Sequence, residues 1–255
     1  MTFPIHLEFL GARLHPHLVF EALAYFVGAR LYFSGQRARA AHGQPVLALE
    51  TRLWILVGCI FGAWAGSRLL AWAEQPAHYL ALARANPILL AGGKTIAGGL
   101  LGGWIGVEIA KARCGVRRST GDDFVWPLAA GIALGRLGCF FTGLEDQTYG
   151  IATTLPWGVD FGDGVARHPT QLYETAVVLT LAAVIALAAR GRVWPPGTRF
   201  RCFFAGYFAF RLLVEFIKPR ETPFAGLSAI QLASAAGVVV SCRLLRRPAP
   251  AGPAT

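Results

Sequence analysis

Arg68, Arg136, Arg211, Glu21 and Glu215 stand inside stretches otherwise apolar enough for membrane helix. A charge in hydrocarbon costs a few kcal/mol or more, so a chain keeps it for a partner, a cavity or a task. The residue types suggest the task. Arginine offers a planar, bidentate grip on phosphate, and a carboxylate shielded from water can accept a proton. Arg211 and Glu215 are four residues apart, one helical turn, which permits a pair on one helix face and is also the spacing of a purely structural ion pair. Arg136 lies in Gly135-Arg136-Leu137-Gly138, where the glycines leave room for close helix approach or for a ligand. Arg68 lies near a helix end, where a snorkelling role is the simpler alternative.

Other candidates flank these charges. Arg167-His168-Pro169-Thr170-Gln171-Leu172-Tyr173-Glu174 leads from a long loop into an apolar run. There His168 serves either in a helix-start arrangement, with Pro169 near the first turn, or as a fixed polar rim over a site. Gly92-Gly93-Lys94-Thr95-Ile96-Ala97-Gly98-Gly99-Leu100-Leu101-Gly102-Gly103 opens the third apolar window. Such glycine density implies backbone-contact packing or a broken helix lining a cavity, and Lys94 is placed to donate to an anionic head group. The order of a phosphate-binding P-loop is absent. Asp160-Phe161-Gly162-Asp163-Gly164 lacks the remaining ligands of a calcium loop and reads as a turn. The five cysteines (Cys59, Cys114, Cys139, Cys202, Cys242) show no metal spacing, so neither metal nor cofactor is expected. Cys139, one residue beyond Gly138, is a buried filler or a thiol made reactive by the nearby cation.

The elements that must position these residues are helices. Of 255 residues, 55% are hydrophobic and 15% charged, and the mean hydropathy is +0.48. Soluble domains carry about 25% charged residues, so this is a membrane composition. Windows of about 20 apolar residues fall at roughly 18–34, 51–73, 88–110, 124–142, 171–189, 199–217 and 224–242, predicting an all-α integral membrane protein of seven transmembrane helices. Residues 1–247 form one membrane domain with an outer loop at about 143–170, followed by a disordered tail, 248–255. No cleaved signal peptide is expected.

The connections set the orientation. Arg30, Arg37, Arg39, Arg52, Lys111, Arg113, Arg117, Arg118, Arg190, Arg192, Arg199, Arg201, Arg243, Arg246 and Arg247 would lie on one side, fifteen of the 24 Lys and Arg. By the positive-inside rule that side is cytoplasmic, with the N-terminus outside and the C-terminus inside. Glu21, Arg68, Arg136, Arg211 and Glu215 then share the outer half of the bilayer. The net charge of +10 belongs mainly to loops beside anionic lipid, which removes the case for nucleic acid.

Four blocks in order resemble the prolipoprotein diacylglyceryl transferases, integral enzymes of the bacterial inner membrane. They are Gly92-Gly93 with Gly98-Gly99-Leu100; Gly135-Arg136-Leu137-Gly138 with Phe140; Arg167 through Glu174; and Tyr207 with Phe210, Arg211, Glu215 and Phe216. The resemblance implies transfer of a diacylglyceryl group from phosphatidylglycerol, or a related anionic phospholipid, to a lipobox cysteine in a prolipoprotein signal peptide, releasing glycerol phosphate. It implies Arg136 and Arg211 on the lipid phosphate, with Tyr207 and Glu215 supporting Arg211. Gly98, Gly99, Gly138, Cys139, Lys94 and Arg68 complete the expected substrate site.

This chain departs from the family at Ala97, where the family keeps a His often proposed as the base. It departs again at Cys139, where the family keeps Asn, and at Glu21, which aligns with a Tyr. Glu21, Lys94 or His168 is then expected to replace the base. Two alternatives stand beside this reading: a paralogue that recognises the lipid head group but serves another acceptor or reaction, and a non-catalytic lipid-binding or transport protein.

Overall fold

A computed structural model of the chain describes residues 3–9, 12–86, 88, 90, 92–219 and 224–246. Eight helices carry the described fold: α1 (Pro16–Ala41), α2 (Leu49–Glu74), α3 (Pro76–Ala85), α4 (Ile96–Arg113), α5 (Val125–Thr142), α6 (Thr170–Ala188), α7 (Thr198–Val214) and α8 (Ala229–Arg246). Seven of them match the expected windows to within several residues. The short α3 was not expected. Its ten residues are too few to register as a span, and Pro76 at its first turn starts it directly after α2. The third window also starts late, because the helix opens at Ile96, and Gly93 before it sits at φ +74°, outside helical geometry. The tail 248–255 lies outside the described residues.

Among the described residues, α2, the segment Gly121–Asp146 containing α5, α6 and α8 are each long and apolar enough to cross a membrane. By contrast α7 has 17 residues and includes Arg199, Arg201 and Arg211, while α4 ends in Glu108, Lys111 and Arg113. The outward faces of the helices are apolar: Leu53, Trp54, Val57, Ile60, Phe61 and Trp64 on α2, and Ile105 and Ile109 on α4, are exposed. Such a surface suits lipid rather than water.

The glycine-rich helix resolves toward backbone contact. Gly58, Gly62 and Gly66 on α2 face Gly98, Gly102 and Gly106 on α4. A Cβ added at Gly62 would lie 2.2 Å from the Gly102 carbonyl oxygen, and one at Gly98 would lie 2.3 Å from that of Gly66. The i, i+4 spacing puts the three glycines of each helix in one stripe, which only hydrogen atoms can fill.

A second pair, α1 against α5, closes at Gly138, where an added Cβ would lie 2.6 Å from the Phe20 Cβ. Between the pairs, α6, α7 and α8 build a core in which Phe203, Phe204, Tyr207, Phe208, Val178 and Ala182 meet Ala129 and Ile132 of α5 and Ala97 of α4. The Asp122 carboxylate accepts hydrogen bonds from the Gly197 and Phe200 backbone N–H groups at 2.7 and 3.0 Å, so a distant residue caps the start of α7.

Two small antiparallel ribbons complete the fold. The first pairs β1 (Leu7–Phe9) with β2 (Ala12–Leu14), Leu7 opposite Leu14. The second lies in the 143–170 connection and pairs β3 (Val159–Asp160) with β4 (Ala166–Arg167), Val159 opposite Arg167. Between β3 and β4, Asp160 Oδ1 accepts from the N–H groups of Gly162, Asp163 and Gly164, the turn expected of that segment.

Candidate functional site

Arg136, Arg211 and Glu215 come together where α5, α6 and α7 converge, and Glu174 joins them. Glu174 enters one turn after the start of α6 and is 1% exposed. Its Oε2 lies 2.8 Å from Arg136 Nε and 3.2 Å from Arg211 Nη1, and its Oε1 accepts the Tyr207 hydroxyl at 2.7 Å. Arg211 Nη2 pairs with Glu215 one turn further along the chain. The i, i+4 pair expected from sequence thus forms, but as part of a four-residue ionic network. Two guanidinium groups and two carboxylates, all buried, balance in formal charge. Such a network persists because each member satisfies another, and it fixes the arginines in place.

A second cluster adjoins the first at Cys139, one turn after Arg136 on α5. Arg136 Nη1 lies 4.0 Å from Cys139 Sγ. Pro16 starts α1 and places His17 in its first turn, against Gly138. A 3-10 turn, Gly143–Asp146, follows α5 and folds Asp146 back toward the same point. His17 Nδ1 lies 3.2 Å from Asp146 Oδ1, and the His17, Cys139 and Asp146 donor atoms all lie within 4.8 Å of one another. Thr148 donates to Asp146 Oδ2 at 2.6 Å and holds the carboxylate.

Glu21 borders this cluster rather than the arginines. Its carboxylate lies 3.6 Å from His17 Nε2 and 3.3 Å from Lys94 Nζ, and it accepts the Tyr25 hydroxyl at 3.3 Å. Glu21 and Lys94, read separately from sequence, therefore meet. Together with His15, His17, Leu18, Thr142, Glu145 and Asp146, Glu21 lines an open cleft of about 310 Å³.

The other expected residues are placed differently. The contacts of His168 are with the loop: its Nδ1 lies 3.1 Å from the Tyr173 hydroxyl, and its backbone pairs with Gly150 and Ile151. It directly precedes Pro169, the N-cap of α6, and no side chain caps that helix. Beside it, Arg167 makes a two-point pair with Asp163 at 2.6 and 2.7 Å and lies over the Tyr149 ring. That arginine holds the Asp163 carboxyl below the usual range. Arg68 stacks on Trp64 and donates to the Trp64 carbonyl on its own helix. Gly98 and Gly138 serve helix packing, while Gly99 has room, the nearest atom to an added Cβ being 3.7 Å away.

Glu174, His17 and Asp146 are the members that sequence reading missed. Glu174 closes the Arg167–Glu174 block, and an acidic residue one turn into an apolar helix was the available signal. His17 and Asp146 had none, being brought to Cys139 from the start of α1 and from the turn after α5.

The sequence matches the prolipoprotein diacylglyceryl transferase family over residues 4–246. It is 34% identical over 227 residues to the phosphatidylglycerol–prolipoprotein diacylglyceryl transferase of Bordetella bronchiseptica, covering 85% of this chain and 80% of that one. The namesake of Geobacter sulfurreducens is 35% identical over 221 residues, covering 84% and 79%. That of Cereibacter sphaeroides is 36% identical over 233 residues, covering 80% and 76%. With the match running through every block of the site, the chain belongs to the prolipoprotein diacylglyceryl transferase family.

Proposed function

We propose that this membrane transferase moves a diacylglyceryl group from phosphatidylglycerol to the cysteine thiol of a prolipoprotein lipobox, releasing glycerol phosphate. The observation that carries the reading is the network of Arg136 and Arg211 around Glu174 and Tyr207. Two fixed cations suit a displacement in which phosphate leaves a glycerol carbon. Charge grows on the phosphate as the C–O bond breaks, and preorganised donors stabilise that charge without reorganising. The relatives' shared name supports this reading over a changed acceptor or a non-catalytic lipid binder.

Seven spans with the N-terminus outside and the C-terminus cytoplasmic, in a bacterial inner membrane, follow from the distribution of basic loops. In that orientation the cleft opens outward, where a translocated signal peptide presents its cysteine. Of the three side chains expected to replace the missing histidine, Glu21 stands on the cleft with Lys94 beside it, whereas His168 is engaged in the loop.

The test is purified enzyme in detergent with phosphatidylglycerol and a lipobox peptide, the thioether product read by mass. Product is expected from the wild type and not from Arg136→Ala. No product from folded wild-type enzyme would sink the reading.

A further inference from the structure

His17, Cys139 and Asp146 form a nitrogen, sulfur and oxygen donor set that the arginine network does not use. We infer that these three residues bind a zinc-class divalent ion whose fourth position takes the acceptor thiol. The catalytic half of this inference rests on the proposed transferase reading, whereas the metal site does not.

The geometry suits a metal in several independent ways. Catalytic zinc sites use three protein ligands and keep one position open, with bonds of about 2.0–2.3 Å. Those lengths put tetrahedral donors roughly 3.5 Å apart. His17 Nδ1 and Asp146 Oδ1 are already at 3.2 Å, and no pair in the set exceeds 4.8 Å. Supporting contacts are also present. Glu21 lies 3.6 Å from His17 Nε2, the nitrogen away from Asp146, and Thr148 donates to Asp146 Oδ2, leaving Oδ1 toward the histidine. Carboxylates behind a ligating histidine and donors behind a ligating carboxylate are what orient metal ligands. Charge balances as well: a thiolate and a carboxylate neutralise a divalent ion, and Arg136 Nη1 lies 4.0 Å from the sulfur. The open cleft bordered by His17 and Asp146 gives access from outside.

The site supplies what this chain lacks. With Ala97 where the family has its His, the acceptor thiol needs another route to thiolate. A coordinated thiol is deprotonated by the metal, its proton passing to water in the cleft. The sulfur electron pair then forms the C–S bond to the glycerol carbon, the C–O bond to phosphate breaks, and glycerol phosphate leaves with that bond's electrons beside Arg136. The metal changes neither oxidation state nor count.

Metal-stripped protein in detergent, titrated with cobalt(II), tests the site without substrate. One equivalent is expected to give a sulfur-to-cobalt charge-transfer band and the visible bands of tetrahedral cobalt, both displaced by zinc. Cys139→Ser should lose the charge-transfer band, and His17→Gln should weaken binding at least tenfold. In wild-type protein, independent of any variant's folding, zinc should protect Cys139 from alkylation, read by peptide mass. A spectrum without the band, a band retained in Cys139→Ser, or alkylation unchanged by zinc overturns the site. For the catalytic half, chelation should lower thioether formation at least tenfold and zinc should restore it. Full turnover by stripped enzyme overturns the thiol-activating role. Cobalt bound through Cys139 in an enzyme that makes no thioether under any condition would keep the metal site and reject the transferase reading.

Discussion

Arg136 faces Cys139 across 4.0 Å while the other side of the same guanidinium meets Glu174 at 2.8 Å. One side chain thus joins an ionic network shared by α5, α6 and α7 to a donor cluster built by α1 and the end of α5. In the proposed reaction the first holds the leaving phosphate and the second receives the entering sulfur, so Arg136 stands between the two partners of the displacement. Alignment of nucleophile and leaving group is what positioning contributes to such a step.

Glu174→Gln is expected to destabilise the protein by about 3–5 kcal/mol, because it takes the carboxylate from buried Arg136 and leaves Arg211 with Glu215 alone. The amide oxygen can still accept the Tyr207 hydroxyl, so the loss is one of charge rather than of shape. Denaturation in detergent measures it. Combining Glu174→Gln with Arg136→Met should cost less than the two single losses added, since the double variant buries one fewer unpaired charge. Simple additivity would show that the two residues do not act on each other.

Much of this arrangement was legible in the sequence, and the rest was hidden for physical reasons. Arg211 and Glu215 signal each other by helical spacing, and α5 and α6 follow from apolar length. Glu174 was in plain view, but its role depends on how α6 is rotated against α5 and α7, which hydropathy does not encode. His17, Cys139 and Asp146 come from separate elements, so no spacing rule could assemble them, and the expectation of no metal came from that same spacing. The glycines of α4 allowed packing or a cavity until the matching stripe on α2 was placed against them.

Reintroducing the family's histidine should fail here. Ala97 is 1% exposed and packed in the core, with Gly98 beside it at backbone contact with α2. Ala97→His forces an imidazole into that core, at a cost of about 1–3 kcal/mol from overpacking. Thermal unfolding in detergent should show the loss, and thioether formation should not rise. A more active Ala97→His enzyme would mean that the space exists and the base was simply lost.

The α2–α4 seam makes a sharper structural forecast. Gly62→Ala and Gly102→Ala each place a Cβ 2.2 Å from a backbone carbonyl oxygen, so the helices must separate by more than 1 Å to reach ordinary contact. Gly99→Ala, whose Cβ meets its nearest atom at 3.7 Å, should be tolerated. Unfolding temperatures should therefore fall clearly for the first two variants and stay near wild type for the third. Equal effects would assign the glycines to helix flexibility instead of close approach.

Lys218, in the connection after α7, should make stability depend on pH. Burial of its ammonium, with the Arg211 and Arg136 cations nearby, lowers its pKa to about 7, against the opposing pull of Glu215 and Glu174. The folded protein then binds fewer protons at this site than the unfolded chain between about pH 7 and the ordinary lysine value near 10.5. Stability must rise with pH across that window, and the full cost of the buried charge is present below it. Lys218→Met removes the titrating group, so the variant should gain most over wild type near pH 6 and progressively less toward pH 9. Unfolding temperatures of both proteins across that range measure the difference, and parallel curves would show that the ammonium is solvated in the folded state.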